Sequence, residues 1–248
     1  MIIPGAALLL LLLFGPMLYV RAVMAAHGRE RADIGGTGGA LARHLLDAAG
    51  LDHVTVERSD AGDHYDPEAL AVRLSPAHLE GRSVTALAVA AHEVAHAVQH
   101  RDGMRLFRLR GVLARWLVHS NRIAGIVLFA TPLVAILVRS PGLLAGQLVL
   151  GLGVMALGVV VHLVTLPVEL DASFRRALPV LGQGCLAPAD LPRARRVLRA
   201  AALTYLAGAL VSLVNVARWI RMLRRAGRRA ARGATLPAPC RPLGGAPP

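Results

Sequence analysis

Four long runs of apolar residues constrain the fold of this chain more than any other feature of its sequence. They cover residues 2–20, 123–138, 143–166 and 200–217, and none contains Asp, Glu, Lys or Arg. A helix needs about 20 residues to cross the hydrocarbon core of a membrane, so the first and third runs are long enough, the fourth is nearly so and the second is short. Hydrophobic residues make up 55% of the chain, more than a soluble core requires. The sequence predicts a mainly α-helical, multi-pass membrane protein with about four transmembrane helices.

The arginines that flank these runs predict which side of the membrane each segment faces. Arg21, Arg29 and Arg31 follow the first run, and the positive-inside rule places them in the cytoplasm with the chain up to residue 122. No positive residue precedes that run, which favours an anchor with its N-terminus outside over a cleaved signal peptide. The next two runs then form a hairpin that returns to the same side. The arginines beyond residue 217 fit only if the fourth run does not cross, or if the whole orientation is inverted.

A His-Glu-x-x-His motif lies in the helix-forming segment 91–100, AHEVAHAVQH, and Ser83 can cap that helix at its start. Positions i and i+4 of a helix share one face about 6 Å apart, so the imidazoles of His92 and His96 can bind one metal ion. Glu93 is turned about 100° away, out of the ligand set but within reach of a metal-bound water. The motif therefore predicts a zinc hydrolase in which Glu93 is the general base.

A catalytic zinc ion usually has three protein ligands, so a third is expected outside the motif. His100 repeats the spacing, but it lies about 12 Å along the helix from His92, and we assign it to a supporting or surface position. Glu169, directly after the third apolar run, is the stronger candidate. Asp171 is the alternative, either as the ligand itself or as the partner that orients the ring of His92 or His96.

Caps and turn residues predict the elements around this motif. Thr37 can begin a short helix, and Gly103 can end the motif helix. Residues 54–56 and 69–74 have the composition of short strands, and the segment 60–67 between them is rich in turn residues. We therefore expect a small α+β, zincin-like part at the membrane face.

Several short segments resemble one known family, and they occur in the same order along the chain. They are DHYDP at 63–67, VRLS at 72–75, the HEVAH motif, LPVELDAS at 166–173 and AAALTY at 200–205. The pattern resembles the membrane-bound neutral zinc metallopeptidases often called YugP-like. Ala95 departs from the glycine expected there, but alanine is small enough to preserve close packing. The resemblance implies that zinc is bound by His92, His96 and Glu169, with Glu93 as catalytic acid/base, as in HtpX-type membrane peptidases.

These observations divide the chain into six predicted regions. They are a transmembrane anchor (1–20), a zincin-like catalytic region (21–122), a transmembrane hairpin (123–167), a segment that completes the metal site (168–199), a transmembrane helix (200–217) and a basic, disordered tail (218–248).

We interpret the chain as a zinc metalloendopeptidase of a bacterial inner membrane, with one zinc ion and a cytoplasmic catalytic face. Its expected partners are a peptide or membrane-protein substrate and membrane lipids. The net charge is +13, but aromatic residues are only 4% and the arginines flank apolar runs, so nucleic acid is not an expected partner. Residues 105–122 suit a helix at the membrane interface.

Two alternative functions remain open at this point. The first is cleavage within the membrane, which the short segment 84–98 between Arg82 and Arg101 disfavours. The second is a non-catalytic scaffold in which the metal only ties helices together. Glu93 disfavours the scaffold, because a purely structural site does not need a base beside its ligands.

Overall fold

The computed structural model describes residues 2–138 and 141–233, which are mainly helical and include a small three-stranded sheet. The elements in chain order are α1 (Ile2–His27), α2 (Gly38–Ala48), β1 (Thr55–Arg58), β2 (His64–Asp66), β3 (Ala71–Leu74), α3 (Pro76–Leu79), α4 (Val84–Arg101), α5 (Arg105–Val138), α6 (Pro141–Leu170), a π-helical segment (Asp171–Ala177), α7 (Leu178–Val180), a second π-helical segment (Leu181–Cys185), a short 3₁₀ turn (Pro188–Asp190) and α8 (Leu191–Gly233).

The helix boundaries near the motif follow the predicted caps. The hydroxyl of Thr37 accepts a hydrogen bond from the backbone N–H of Ala40, and the hydroxyl of Ser83 accepts one from the N–H of Ala86. Each such cap contributes about 1 kcal/mol to stability. Gly103 has a φ of +63°, a left-handed conformation that glycine adopts without strain and that ends α4. The predicted starts of both helices and the predicted stop of α4 are confirmed.

The sheet has β3 at its centre. β3 pairs in parallel with β1, where Val56 lies opposite Val72, and antiparallel with β2, where Tyr65 lies opposite Val72. The two predicted strands are present, but β2 lies within the segment 60–67 that we expected to be a loop. That expectation is wrong at residues 64–66, because only Tyr65 of this three-residue strand is buried and so there is no apolar pattern to detect.

The core forms around α4, which is buried along nearly all of its length. Its buried residues include several alanines, which let α2, the sheet, the first π-helical segment and α8 approach its backbone closely. Leu46 of α2, Leu74 of β3 and Leu181 of the second π-helical segment are fully buried members of the same core. This packing fixes α4 from several sides at once.

The long helices pack side by side around this core. Helix α6 contacts both α5 and α8, and α8 also contacts α1. The predicted region boundaries at 122, 167 and 199 fall inside α5, α6 and α8, so the apolar segments and the segments that build the site share continuous helices. Residues 139 and 140 of the predicted hairpin turn lie outside the described residues.

Two helical stretches in the described part of the chain are long and apolar enough to cross a membrane. They are Val149–Cys185, with a mean hydropathy of 2.4, and Pro188–Arg218, with a mean hydropathy of 1.8. The other two predicted spans, residues 2–20 and 123–138, form parts of α1 and α5. The structure describes the backbone of these segments but not many of their side chains. The structure thus supports two of the four predicted spans by length and composition.

The C-terminal region differs from its prediction. We expected a disordered tail from residue 218, but α8 continues to Gly233. The residues that follow Arg218 are mostly alanine, arginine, leucine and methionine, which all have high intrinsic helix propensity, and this explains the longer helix. The rest of the predicted tail, residues 234–248, lies outside the described residues.

Candidate active site

The structure brings the three predicted metal ligands together. His92 and His96 project from α4 and Glu169 from the last turn of α6, and their ligand atoms all lie within 4.8 Å of one another. The Nε2 atom of His92 is 3.1 Å from Oε2 of Glu169, and Nε2 of His96 is 3.6 Å from Oε1. All three side chains are buried. Residues 73 and 77 positions apart in sequence thus meet at one point, because the end of α6 packs against the middle of α4.

The chemistry of this cluster fits a zinc ion. Two imidazoles and one carboxylate are a known ligand set of catalytic zinc, which leaves a fourth position for water or substrate. Oε1 of Glu169 is buried and accepts no hydrogen bond from any described residue. Its partner is a charge, Nη1 of Arg110 at 2.8 Å, which makes no well-aligned hydrogen bond with it. A metal ion between the two Nε2 atoms and the carboxylate would satisfy that oxygen.

Each histidine uses its other ring nitrogen to contact the protein. Nδ1 of His92 lies 3.2 Å from the hydroxyl of Ser173, and Nδ1 of His96 lies 2.9 Å from Oε1 of Gln99. Such partners fix the rotation of metal-binding imidazoles. Both rings therefore turn their Nε2 atoms toward Glu169.

A π-helical segment begins two residues after Glu169 and carries Ser173. π-Helical turns are rare and occur mostly at functional sites. Here the segment continues from the end of α6 along α4 and supplies both Ser173 and Asp171 to that helix. It therefore supports the ligand cluster from the α6 side.

Glu93 is buried beside the cluster on the same helix. Burial by itself lowers the pKa of His92, but the hydrogen bond with Glu169 and the negative charge of Glu93 outweigh burial and raise that pKa above its usual value. The site without a metal ion therefore attracts positive charge. This is the electrostatic environment that a divalent cation requires.

Two further side chains reach the site from other helices. Nη1 of Arg110, on α5, lies 2.8 Å from Oε1 of Glu169, which makes an ion pair but not a well-aligned hydrogen bond. The hydroxyl of Tyr205, on α8, is close enough to Glu169, Arg110 and Glu93 to interact with them. The site is thus lined by a guanidinium and a phenol as well as by carboxylates.

His100 and Asp171 take supporting positions. Nδ1 of His100 is 2.9 Å from the hydroxyl of Tyr65, and its ring packs 5.8 Å from that of Phe107. Asp171 does not contact either motif histidine, so the direct orienting contact that we considered for it is wrong. Its Oδ2 instead lies 2.9 Å from Nε2 of Gln99 and 2.8 Å from Nε of Arg176.

Sequence reasoning missed four residues of this site. Gln99 and Ser173 lie at i+3 from His96 and i+4 from Glu169, a helical spacing that marks them as neighbours of ligands once the ligands are known. Tyr205 lies within the AAALTY segment, but nothing in that segment indicates which helix it faces. Arg110 is one of many arginines, and its sequence position gives no sign that it points inward.

Comparison with known proteins adds independent findings. A family model described as "Putative neutral zinc metallopeptidase" matches residues 2–224. A protein of Bacillus subtilis (strain 168) named "Putative membrane protease YugP" is 39% identical over 199 residues, which cover 78% of this chain and 84% of that protein. No solved structure matches the chain.

Proposed function

Because the chain belongs to the family described as "Putative neutral zinc metallopeptidase", we propose that it is a membrane-bound zinc endopeptidase with one zinc ion per chain. The observation that carries the proposal is the buried cluster of His92, His96 and Glu169, with Glu93 next to it on the same helix. Its substrates are peptides or segments of membrane proteins.

Each side chain has a distinct task in this proposal. A zinc ion held by His92, His96 and Glu169 would polarise the scissile carbonyl and acidify a water molecule. Glu93 takes the proton from that water and returns it to the leaving amine. A purely structural metal site gives no role to a buried carboxylate in this position, so the buried Glu93 favours the enzyme over the scaffold.

Arg110 and Tyr205 are suited to stabilise the negative charge that develops on the carbonyl oxygen. Positive charge and hydrogen-bond donors placed in advance around a reacting centre are often the largest contribution to catalysis. Arg110 pairs with Glu169 at 2.8 Å, and its side chain is 27% exposed, so it is both close to the candidate ligands and partly accessible. We assign it contact with the substrate.

The active site lies at the membrane surface in this proposal, not at the centre of the bilayer. Glu169 comes after the apolar run at 143–166, in the last turn of α6, and α4 is covered by protein. The apolar side chains that α6 and α8 leave exposed, such as Val149, Leu163 and Leu210, contact lipid. With α1 and α5 the chain has four spans, and its catalytic side is cytoplasmic.

Cysteine labelling tests this topology. In a variant without native cysteines, single cysteines at the exposed positions Asp60 and Gln183 are expected to react with a membrane-impermeant reagent only when the cytoplasmic side is accessible. Labelling of the two positions from opposite sides would separate α4 from the segment after Glu169 and contradict the proposed site. Labelling of both from outside would invert the orientation.

The decisive test of the activity is the Glu93→Gln variant. Purified wild-type protein is expected to contain zinc and to cleave a peptide library, whereas Glu93→Gln retains zinc and loses at least the 10²–10⁴-fold that proton transfer typically contributes. The exposed Glu80→Gln is the matched control. Full activity of Glu93→Gln, or a wild-type protein that binds no zinc, would contradict the proposal.

The same assay tests Arg110. We expect Arg110→Gln to keep its zinc and to lower kcat by about 10²–10³-fold, the loss typical of removing one donor to the developing charge. Arg108→Gln removes the same charge from an exposed position on the same helix and should remain active. An equal loss in both variants would mean that only the net charge of α5 matters.

A further inference from the structure

Gln99 is a fully buried amide that contacts three different parts of the active site. Its Oε1 lies 2.9 Å from Nδ1 of His96, and its Nε2 lies 2.9 Å from both the backbone carbonyl of Val168 and Oδ2 of Asp171. We propose that Gln99 is the positioning residue that sets the tautomer of His96 and holds Glu169 at the metal. This inference rests on the proposed function, since it concerns the zinc site described there.

The orientation of the amide is determined by its surroundings. The carbonyl of Val168 and the carboxylate of Asp171 can only accept hydrogen bonds, so the amide must direct its NH₂ group toward them. The opposite orientation would place the amide oxygen 2.9 Å from two other oxygens with no hydrogen between them, which is unfavourable. Oε1 of Gln99 therefore faces His96.

This orientation in turn fixes the proton on His96. An amide oxygen is only an acceptor, so Nδ1 of His96 must carry the hydrogen. In a neutral imidazole the other nitrogen then has the free lone pair. That nitrogen is Nε2, which faces Glu169 at 3.6 Å. Gln99 thus presents His96 in the one neutral tautomer that can bind the metal.

The NH₂ group of Gln99 helps to hold Glu169, the third candidate ligand. Val168 is the residue before Glu169, so the hydrogen bond to its carbonyl ties the backbone of Glu169 to α4. The second hydrogen bond of the NH₂ group goes to Asp171, which is part of a chain of ion pairs. Asp171 pairs with Arg176 at 2.8 Å, and Arg176 pairs with Asp102, at the end of α4, at 2.7 Å. One side chain thereby couples two ligands that come from different helices.

The test replaces Gln99 with a side chain of similar shape. Gln99→Met keeps the buried volume but loses all three hydrogen bonds, and we expect zinc affinity, measured by chelator competition, to fall about 10–100-fold. Gln183→Met is the control, since the same change is made at an exposed glutamine. Equal affinity of Gln99→Met and wild type, or an equal loss in the control, would overturn the inference.

A paired substitution distinguishes positioning from simple packing. Gln99→Glu places a carboxylate against Asp171 and is expected to bind zinc more weakly than wild type. Adding Asp171→Asn supplies an NH₂ group that can donate to the new carboxylate, and should restore part of that affinity. No difference between the single and double variants would overturn the inference even if Gln99→Met failed to fold.

A spectroscopic measurement separates this inference from the proposed function. In protein labelled with ¹⁵N at histidine, at a pH where His96 is neutral, we expect its Nδ1 to be protonated with or without zinc, and to lose this preference in Gln99→Met. The result does not depend on peptide hydrolysis. If the wild type bound no zinc, the proposed function would fail while the tautomer of His96 would still be measured. A proton on Nε2 of wild-type His96 would overturn the inference.

Discussion

Helices α4 and α6 supply the three candidate ligands, yet the two helices lie in opposite surroundings. Helix α4 is short and bounded by arginines, and it is buried along nearly its whole length by packing of small side chains. Helix α6 is longer and more apolar, but many of its apolar side chains are exposed, including Val149 at 72% and Leu163 at 54%. Hydrophobicity and burial are therefore reversed between the two helices.

The reversal has a physical explanation. A helix inside a water-soluble core gains stability from every apolar side chain that leaves water. A helix in a membrane needs no such burial, because lipid chains are as apolar as leucine. The last turn of α6, where Val168 and Glu169 are buried, packs as α4 does. In the proposed topology, the active site lies where the chain passes from water to lipid.

The first prediction concerns this last turn of α6, and its effect should be the largest. Of the three candidate ligands in the described cluster, Glu169 comes from α6, and we expect Glu169→Ala to weaken zinc binding by more than the roughly 10–100-fold typical of outer partners. Asp171→Ala should fall within that range, because it supports the site through Gln99. His100→Ala should bind zinc nearly as wild type does, since the Nδ1 atom of His100 contacts the hydroxyl of Tyr65 and not the ligand cluster.

A competition titration against a zinc chelator ranks these three variants. If His100→Ala were the most damaging, the ligand set would be wrong, although the protein would still be a zinc protein. If Asp171→Ala exceeded Glu169→Ala, Asp171 would be the ligand in the metal-bound protein.

Sequence patterns predict α4 more fully than α6. The motif, the Ser83 cap and Gly103 all lie within one helix, where spacing translates directly into geometry. The end of α6 depends on contacts with distant residues. Glu169 was predicted because it follows an apolar run, but its partners Ser173 and Arg110 required knowledge of how α6, the π-helical segment and α5 pack. Local rules contain no information on such contacts.

The errors of prediction have the same origin. Strand β2 contains too few apolar residues to give an alternating pattern, and it forms because β3 offers it an edge. The extension of α8 beyond residue 218 is the exception, since it follows from the local helix propensity of alanine and arginine. The contact of Asp171 with Gln99 depends on a π-helical turn, which no sequence spacing specified.

The second prediction compares a leucine that is buried in the protein with one that is exposed on its surface. Leu87 of α4 is buried in the protein, so Leu87→Ala should lower the free energy of unfolding by about 2–5 kcal/mol, the usual cost of such a truncation in a core. Leu163 of α6 is 54% exposed and faces lipid in the proposed topology, so Leu163→Ala should change the free energy of unfolding by about 0.5 kcal/mol or less. Denaturant unfolding in detergent measures both. A large loss for Leu163→Ala would mean that α6 is packed against protein at that position.

The third and smallest expected effect concerns Asp63, beside the three-stranded sheet. Burial by itself raises the pKa of Asp63, but hydrogen bonds from His78, from the backbone N–H of Ser75 and from its hydroxyl outweigh burial and lower it. These bonds join the start of β2 to α3. Asp63→Asn should therefore destabilise the protein by about 1–2 kcal/mol at neutral pH.

The pH dependence of that loss follows from the direction of the shift. Because the folded protein holds the pKa of Asp63 below its unfolded value of about 3.9, the stabilisation is complete above that pH and is lost as the pH falls through the folded value. The gap between wild type and Asp63→Asn should stay constant from about pH 5 to 8 and close in stronger acid. Asp60→Asn, at an exposed carboxylate 3.9 Å from Arg58, should leave stability nearly unchanged. A gap that persisted undiminished in acid would show that Asp63 acts through packing and not through its charge.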